Sequence, residues 1–160
     1  LAPYLMLRPG EICKLTWENI DFKSRLIRIS AGSMKMRREH VIPMSNHVLS
    51  VFEEVQDLGL SGKHVFPSPN VSNQPVDPAS LRMAIRRLGI SGDVFTTHGF
   101  RSMASTRLNE MGFNGDWVEV QLAHVDSNTV RGIYNNATYI EQRTEMMGQW
   151  ADYLDNLKFK

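Results

Sequence analysis

The chain has little of what would force an unusual architecture. Its one cysteine, Cys13, cannot pair within the chain or complete a cysteine-based zinc site, which excludes a disulfide scaffold and suits a reducing, cytosolic compartment. No apolar run approaches the ~20 residues of a membrane span, and no basic-then-apolar leader opens the sequence, so no membrane partner is expected. Also missing are the GxxxxGK[ST] loop, the GxGxxG turn, the GxSxG elbow and the HExxH helix. Nucleotide hydrolysis, dinucleotide binding, α/β-hydrolase chemistry and zincin chemistry therefore lack their usual markers. Hydrophobic residues at 42% and charged residues at 22% exclude a disordered or collagen-like chain. The 160 residues fit one domain, and a start at Leu1 in mid-pattern, without methionine or cap, reads as an N-terminally truncated fragment of a longer protein.

Net charge is only +1, but its distribution is uneven. Residues 23–40 hold six Lys/Arg against Glu39 alone, and residues 82–107 hold five against Asp93 alone. From Glu110 onward eight acids face four bases. Each basic run by itself reads equally as a solvated face, and two of them before an acidic tail favour a polyanion partner without naming it.

The pattern predicts an α+β domain, mostly helical, with a small antiparallel sheet near the N-terminus. Pro9 suits a first helical turn and Glu11 the positive end of its dipole, giving a short helix from Pro9 to about Thr16. Alternating residues over Trp17–Phe22, Leu26–Ser30 and Glu39–Pro43 predict three strands. Ser45 caps a helix ending near Gly59, and Asp77-Pro78 opens one through Leu88. Helices are further expected over Thr97–Met111 and Trp117–Ala123. A last one runs over about 138–157, with Thr138 and Glu141 as a capping box. Its stripe of Met146, Met147, Trp150, Leu154 and Leu157 has no obvious partner once the core is filled, which leaves it as a docking face.

Polar groups in special settings are the candidate site. His98 and Arg101, three apart in Thr96-Thr97-His98-Gly99-Phe100-Arg101, share a helix face and can grip one anion; the plain alternative is a cap with a surface arginine. His124 follows an apolar helix, where a satisfied buried histidine is the ordinary reading. Arg8 sits at a helix start, which the dipole disfavours for a cation unless something anionic lies near.

Leu7-Arg8-Pro9-Gly10-Glu11-Ile12, Leu15-Thr16-Trp17-Glu18-Asn19-Ile20-Asp21, the basic loop with Lys35 before His40-Val41-Ile42-Pro43, His98-Gly99-Phe100-Arg101, Leu122-Ala123-His124 and Tyr134 together resemble the catalytic domain of tyrosine recombinases. Met34-Lys35-Met36-Arg37-Arg38 and Val130-Arg131-Gly132-Ile133-Tyr134-Asn135 are similar to the prophage integrase branch, as is the run from Met146 to Leu154.

The resemblance implies cleavage and rejoining of double-stranded DNA at attachment sites through a 3′-phosphotyrosyl link, with no metal or other cofactor. It implies a monomer that assembles as a homotetramer on DNA, in a bacterial or phage setting. Tyr134 matches the nucleophile, with Tyr139 the rival in the same segment. Arg8 and Arg101 match the clamp on the scissile phosphate, and Lys35 the general acid. His98 would assist proton removal, His124 would donate to a phosphate oxygen, and Glu11 would support an Arg or His. Arg37, Arg38, Arg82, Arg86 and Arg87 are expected on DNA, through phosphates rather than bases. The alternatives are a type IB topoisomerase-like enzyme, a DNA-binding module with unused catalytic residues, and a metal-dependent nuclease using His98 and His124.

Overall fold

Proline and a carboxylate shape the first turns of the chain. In a computed structural model that describes residues 1–34, 38–124 and 139–157, α1 spans Ala2–Leu5 and ends at Met6, whose φ of 56° turns the chain. Helix α2 spans Pro9–Cys13, with Pro9 in its first turn and the Glu11 carboxylate accepting the Arg8 backbone N–H at 2.9 Å. It stops before the expected Thr16 because the next residues pair elsewhere. The Leu15 carbonyl accepts the Val65 N–H at 2.9 Å, the Trp17 N–H donates to Lys63 at 3.0 Å, and Thr16 bridges His64.

The same pull shortens the first strand. Trp17–Asn19 form a 3₁₀ turn, with Asn19 Oδ1 accepting the Thr16 N–H at 2.9 Å, so β1 is only Ile20–Asp21. Strands β2 (Leu26–Ile29) and β3 (His40–Pro43) complete an antiparallel sheet in the order β1-β2-β3, with Ile20 opposite Ile27 and Ile29 opposite His40. Ser45 Oγ caps α3 (Asn46–Asp57) by accepting the Val48 N–H at 3.3 Å. Val48 and Phe52 of α3 close over Ile20, Ile27, Ile29 and Ile42 with Leu5, Ile12 and Val65, forming one core.

A second core lies among helices. Asp77 caps α4 (Pro78–Arg87), which packs against α2. Helix α5 spans Gly99–Glu110 and stops at Gly112, whose φ of 86° suits glycine. Helix α6 spans Gly115–Gln121, two residues ahead of the expected start, because Asn114 Oδ1 caps it on the Asp116 N–H at 2.8 Å. Helix α7 spans Ile140–Leu157; the capping residue expected at Thr138 lies outside the described residues.

The expectation that the α7 stripe lacks a partner is corrected. Met146, Met147 and Trp150 are buried against Met6, Ala104, Leu108, Val118 and Leu122, and Trp150 Nε1 donates to the Pro3 carbonyl at 2.8 Å. The stripe is half of the chain's own second core, and only its end, at Leu157, is exposed. No helix among the described residues is long and apolar enough to cross a membrane.

Candidate active site

The two arginines are held in different ways. Arg8 stands just ahead of α2, where its Nη1 donates to Glu11 Oε1 at 3.0 Å while the other oxygen of that carboxylate holds the Arg8 main chain. Glu11 is buried, so the ion pair is a fixed clasp on a partly exposed guanidinium. Arg101 lies in the first turn of α5 and is buried, 3% exposed. Its Nη1 donates to the Met6 carbonyl and its Nη2 to the Leu122 carbonyl at 2.5 Å, so the guanidinium is stretched between the end of α1 and the end of α6.

Burial pushes the Arg101 pKa down to about 10. The neighbouring charge of Arg8 pushes the same way, and Glu11 and Glu119 oppose it. Among the described residues, the buried Arg101 Nε has no hydrogen-bond partner. A buried guanidinium held close to a second guanidinium is an arrangement whose charge suits an anion.

The motif around Arg101 is a packing unit. Gly99 is glycine because the Phe95 ring lies where a side chain would begin: a Cβ there would stand 2.9 Å from Phe95 Cε2. Phe95 meets Phe100 edge-on at 4.7 Å, which seats the loop entering α5. Helix α5 starts at Gly99 rather than Thr97, with Thr96 Oγ1 accepting the Gly99 N–H at 3.3 Å.

An open cleft of about 270 Å³ is lined by His98, Arg101, Ser102, Ser105, Thr106, Leu122 and His124. Both histidines predicted from the sequence are thus brought to Arg101. The Ala123 backbone, at φ 49°, turns His124 out of α6, and its Nδ1 lies 2.8 Å from Glu119 Oε2. With Nδ1–H donating to that carboxylate, Nε2 is the nitrogen left for the cleft. Glu119 was missed at the sequence level, although an acid five residues before a histidine at a helix end is a readable signal.

The remaining candidates divide. Lys35, Arg37 and Tyr134 lie outside the described residues. Arg38, Arg82 and Arg87 are exposed. Arg86 is partly exposed, and its Nη1 donates to the carbonyls of Ile90 at 2.6 Å and Phe95 at 3.1 Å, tying α4 to the loop that carries His98. Tyr139 gives its carbonyl to the Arg143 N–H at 2.8 Å, at the entrance to α7. Among the described residues, no three His, Cys, Asp or Glu side chains are grouped to hold a metal.

Also missed was a buried polar group beside the cleft, made of His40, Gln121 and Arg143. Burial, then the Arg143 charge, pushes the His40 pKa down to about 3, and burial pushes that of Arg143 down to about 10. An arginine within the apolar stripe of α7 was the available signal.

The family profile described as the phage integrase family matches residues 1–141. The chain is 43% identical over 145 residues to prophage integrase IntA of Escherichia coli K12, covering 91% of this chain and 35% of that protein. It is 39% identical over 153 residues to the integrase of Shigella phage Sf6, covering 95% and 40%. The chain thus spans about two fifths or less of these relatives. Among solved structures, the integrase of mycobacterium phage Brujita superposes with a TM-score of 0.69 at 22% identity, over 94% of this chain and 49% of that one. The Tn1549 transposon integrase, solved with transposon right end DNA, gives 0.63 at 20% identity, over 90% and 55%. A shared fold at that identity, with a profile matched from the first residue through the start of α7, leaves one assignment: the chain belongs to the phage integrase family.

Proposed function

We propose that this chain is the catalytic domain of a site-specific DNA recombinase that cuts and rejoins strands through a 3′-phosphotyrosyl intermediate. The observation that carries the reading is the setting of Arg101: a buried guanidinium beside Arg8, its Nε without a partner among the described residues, at a cleft edged by His98 and His124. A phosphodiester in in-line attack gathers charge on its non-bridging oxygens, and two fixed guanidiniums are what that charge requires.

In this reading the Tyr134 hydroxyl oxygen attacks phosphorus and gives up its proton with the help of His98. The bond from phosphorus to the 5′-oxygen breaks, and that oxygen takes a proton from Lys35. Glu11 keeps Arg8 in place, and Glu119 keeps His124 turned to the phosphate. A 5′-hydroxyl from another strand then attacks the phosphotyrosine and releases Tyr134. The phosphoester bond is conserved through both steps, so the cycle needs no nucleotide.

The substrate is double-stranded DNA, and the exposed cations Arg38, Arg82 and Arg87 contact phosphates, together with Arg37 and Arg86. Binding by this domain alone is weak and salt-sensitive. Exchange between two duplexes requires a tetramer. Because the α7 stripe already fills a core, docking of α7 on a neighbour takes the form of an exchange of the helix between protomers.

The test is a nicked suicide duplex incubated in EDTA. A covalent adduct is expected, and Tyr134→Phe abolishes it. An adduct that needs a divalent metal points to a nuclease, relaxation of supercoils without partner exchange points to a topoisomerase, and no adduct from the full natural-length protein refutes the proposal.

A further inference from the structure

Three polar side chains outside the proposed chemistry are buried together beside Arg101. Arg143 of α7, 1% exposed, donates from Nε and Nη2 to Gln121 Oε1 at 3.0 and 2.7 Å, and Nη2 also reaches the Val41 carbonyl at 2.8 Å. Gln121 is fully buried, and its Nε2 donates to the Leu5 carbonyl at 3.4 Å. The Gln121 carbonyl faces His40 Nε2 at 3.1 Å. The two carbonyls held in this way, Leu5 and Gln121, are immediate chain neighbours of the two that hold Arg101, Met6 and Leu122.

A carboxamide fits a site either way round unless something distinguishes its two ends. Here a guanidinium grips the oxygen at two points, so the NH₂ end must face Leu5. The His40 ring keeps a proton on Nε2 to donate to the Gln121 carbonyl. Burial and the charges of Arg143, Arg101 and Arg8 hold it neutral. Two staples, Gln121 and Arg101, thus join the same pair of segments at adjacent peptides, and α7 sets the orientation of the first.

We infer that Gln121, oriented by Arg143 and seated by His40, is a positioning residue for the Arg101 guanidinium. The inference rests on the recombinase reading, in which Arg101 meets the scissile phosphate. The relay fixes residues 5–6 against 121–122, between which Arg101 is stretched, and so sets where its remaining donors stand. Such groups need placement to about 0.5 Å, and a 1 Å error costs about 10²-fold.

The test is single-turnover adduct formation by the full natural-length protein on two suicide duplexes, one with a scissile phosphodiester and one with a neutral methylphosphonate at that position. Gln121→Glu keeps an acceptor for Arg143 but has no N–H for Leu5. Arg143→Lys keeps the charge but loses the two-point grip. The methylphosphonate has less anionic charge for a guanidinium clamp to neutralise, so a misplaced clamp matters less there. Each variant is expected to slow the phosphodiester reaction about 10–100-fold and the methylphosphonate reaction less than about threefold, with DNA affinity unchanged. The folded fraction scales both rates equally, so the ratio is immune to lost stability. Equal slowing on both substrates, or none, overturns the relay while leaving the wild-type adduct standing. Failure of the wild type to form a Tyr134-dependent adduct overturns the recombinase reading and the relay with it.

Discussion

Replacing Arg101 by alanine should do two separable things. The first is kinetic. Loss of a fixed donor at a charge-gathering transition state removes about 2.7–4 kcal/mol, or roughly 10²–10³-fold in rate. The second is structural. Arg101→Ala leaves the Met6 and Leu122 carbonyls without their donor in a buried setting, and each such orphan costs about 1–3 kcal/mol. The guanidinium that leaves was itself crowded by Arg8 and held against burial, so part of that cost returns. The net loss therefore belongs near the lower end, about 2–3 kcal/mol, a visible fraction of the 5–15 kcal/mol typical of a domain. Urea unfolding should show the midpoint falling at unchanged slope, while the suicide substrate gives the rate under conditions where the variant is folded. Arg8→Ala separates the two effects, because it leaves both carbonyls bonded: its rate falls comparably but its midpoint moves less. A rate for Arg101→Ala within about threefold of wild type would refute the clamp, since one oxyanion donor alone accounts for far more. An unchanged midpoint would refute the pair of carbonyl bonds.

Three further outcomes follow from the same contacts. His40 has a folded pKa of about 3 against an ordinary value near 6.5, so the unfolded chain binds more protons between those values. Stability is therefore fully present above about pH 6.5 and falls as pH drops toward 3, by up to about 1.4 kcal/mol per pH unit, and His40→Gln should flatten that part of the profile. A profile equally steep in the variant would assign the loss elsewhere. Trp150→Ala should cost about 3–5 kcal/mol in chemical unfolding, and truncation after Asn136 should leave no folded monomer, because the stripe it removes is core. A truncated chain that melts at the wild-type temperature would restore the reading of α7 as a free docking tail. Glu119→Ala should leave stability nearly unchanged, since the His124 pair is about half exposed, yet slow adduct formation roughly tenfold by freeing the imidazole; an unchanged rate would remove Glu119 from the site.

What was legible in the sequence was local. Arg8 with Glu11, and His98 with Arg101, each lie within one turn, so residue spacing alone brings them together. The caps Ser45 and Asp77 were readable for the same reason, each bonding an N–H two or three residues on. The strand expected over Trp17–Phe22 is shorter, Ile20–Asp21, because Trp17 answers to Lys63, 46 positions away, which no local alternation encodes. The joining of the two arginines is likewise non-local: Arg101 reaches Met6 across 95 residues, and the motif names the guanidinium without naming the carbonyls that hold it.

Helix α7 carries in its own sequence a sign of where its apolar face is seated. Periodicity identifies which face of a helix is apolar, but not whether the surface it meets belongs to the same chain. Arg143 lies three and four residues before Met146 and Met147 and seven before Trp150, squarely on that face. A guanidinium on an apolar stripe can be buried only where fixed acceptors await it. A transient docking surface would have to supply those acceptors from a partner at each encounter, leaving the charge exposed in between. The folded chain supplies them itself, as Gln121 Oε1 and the Val41 carbonyl. The charge in the stripe therefore argues that α7 is seated in the domain's own core, and its acceptors place that seat one peptide away from the carbonyl that holds Arg101.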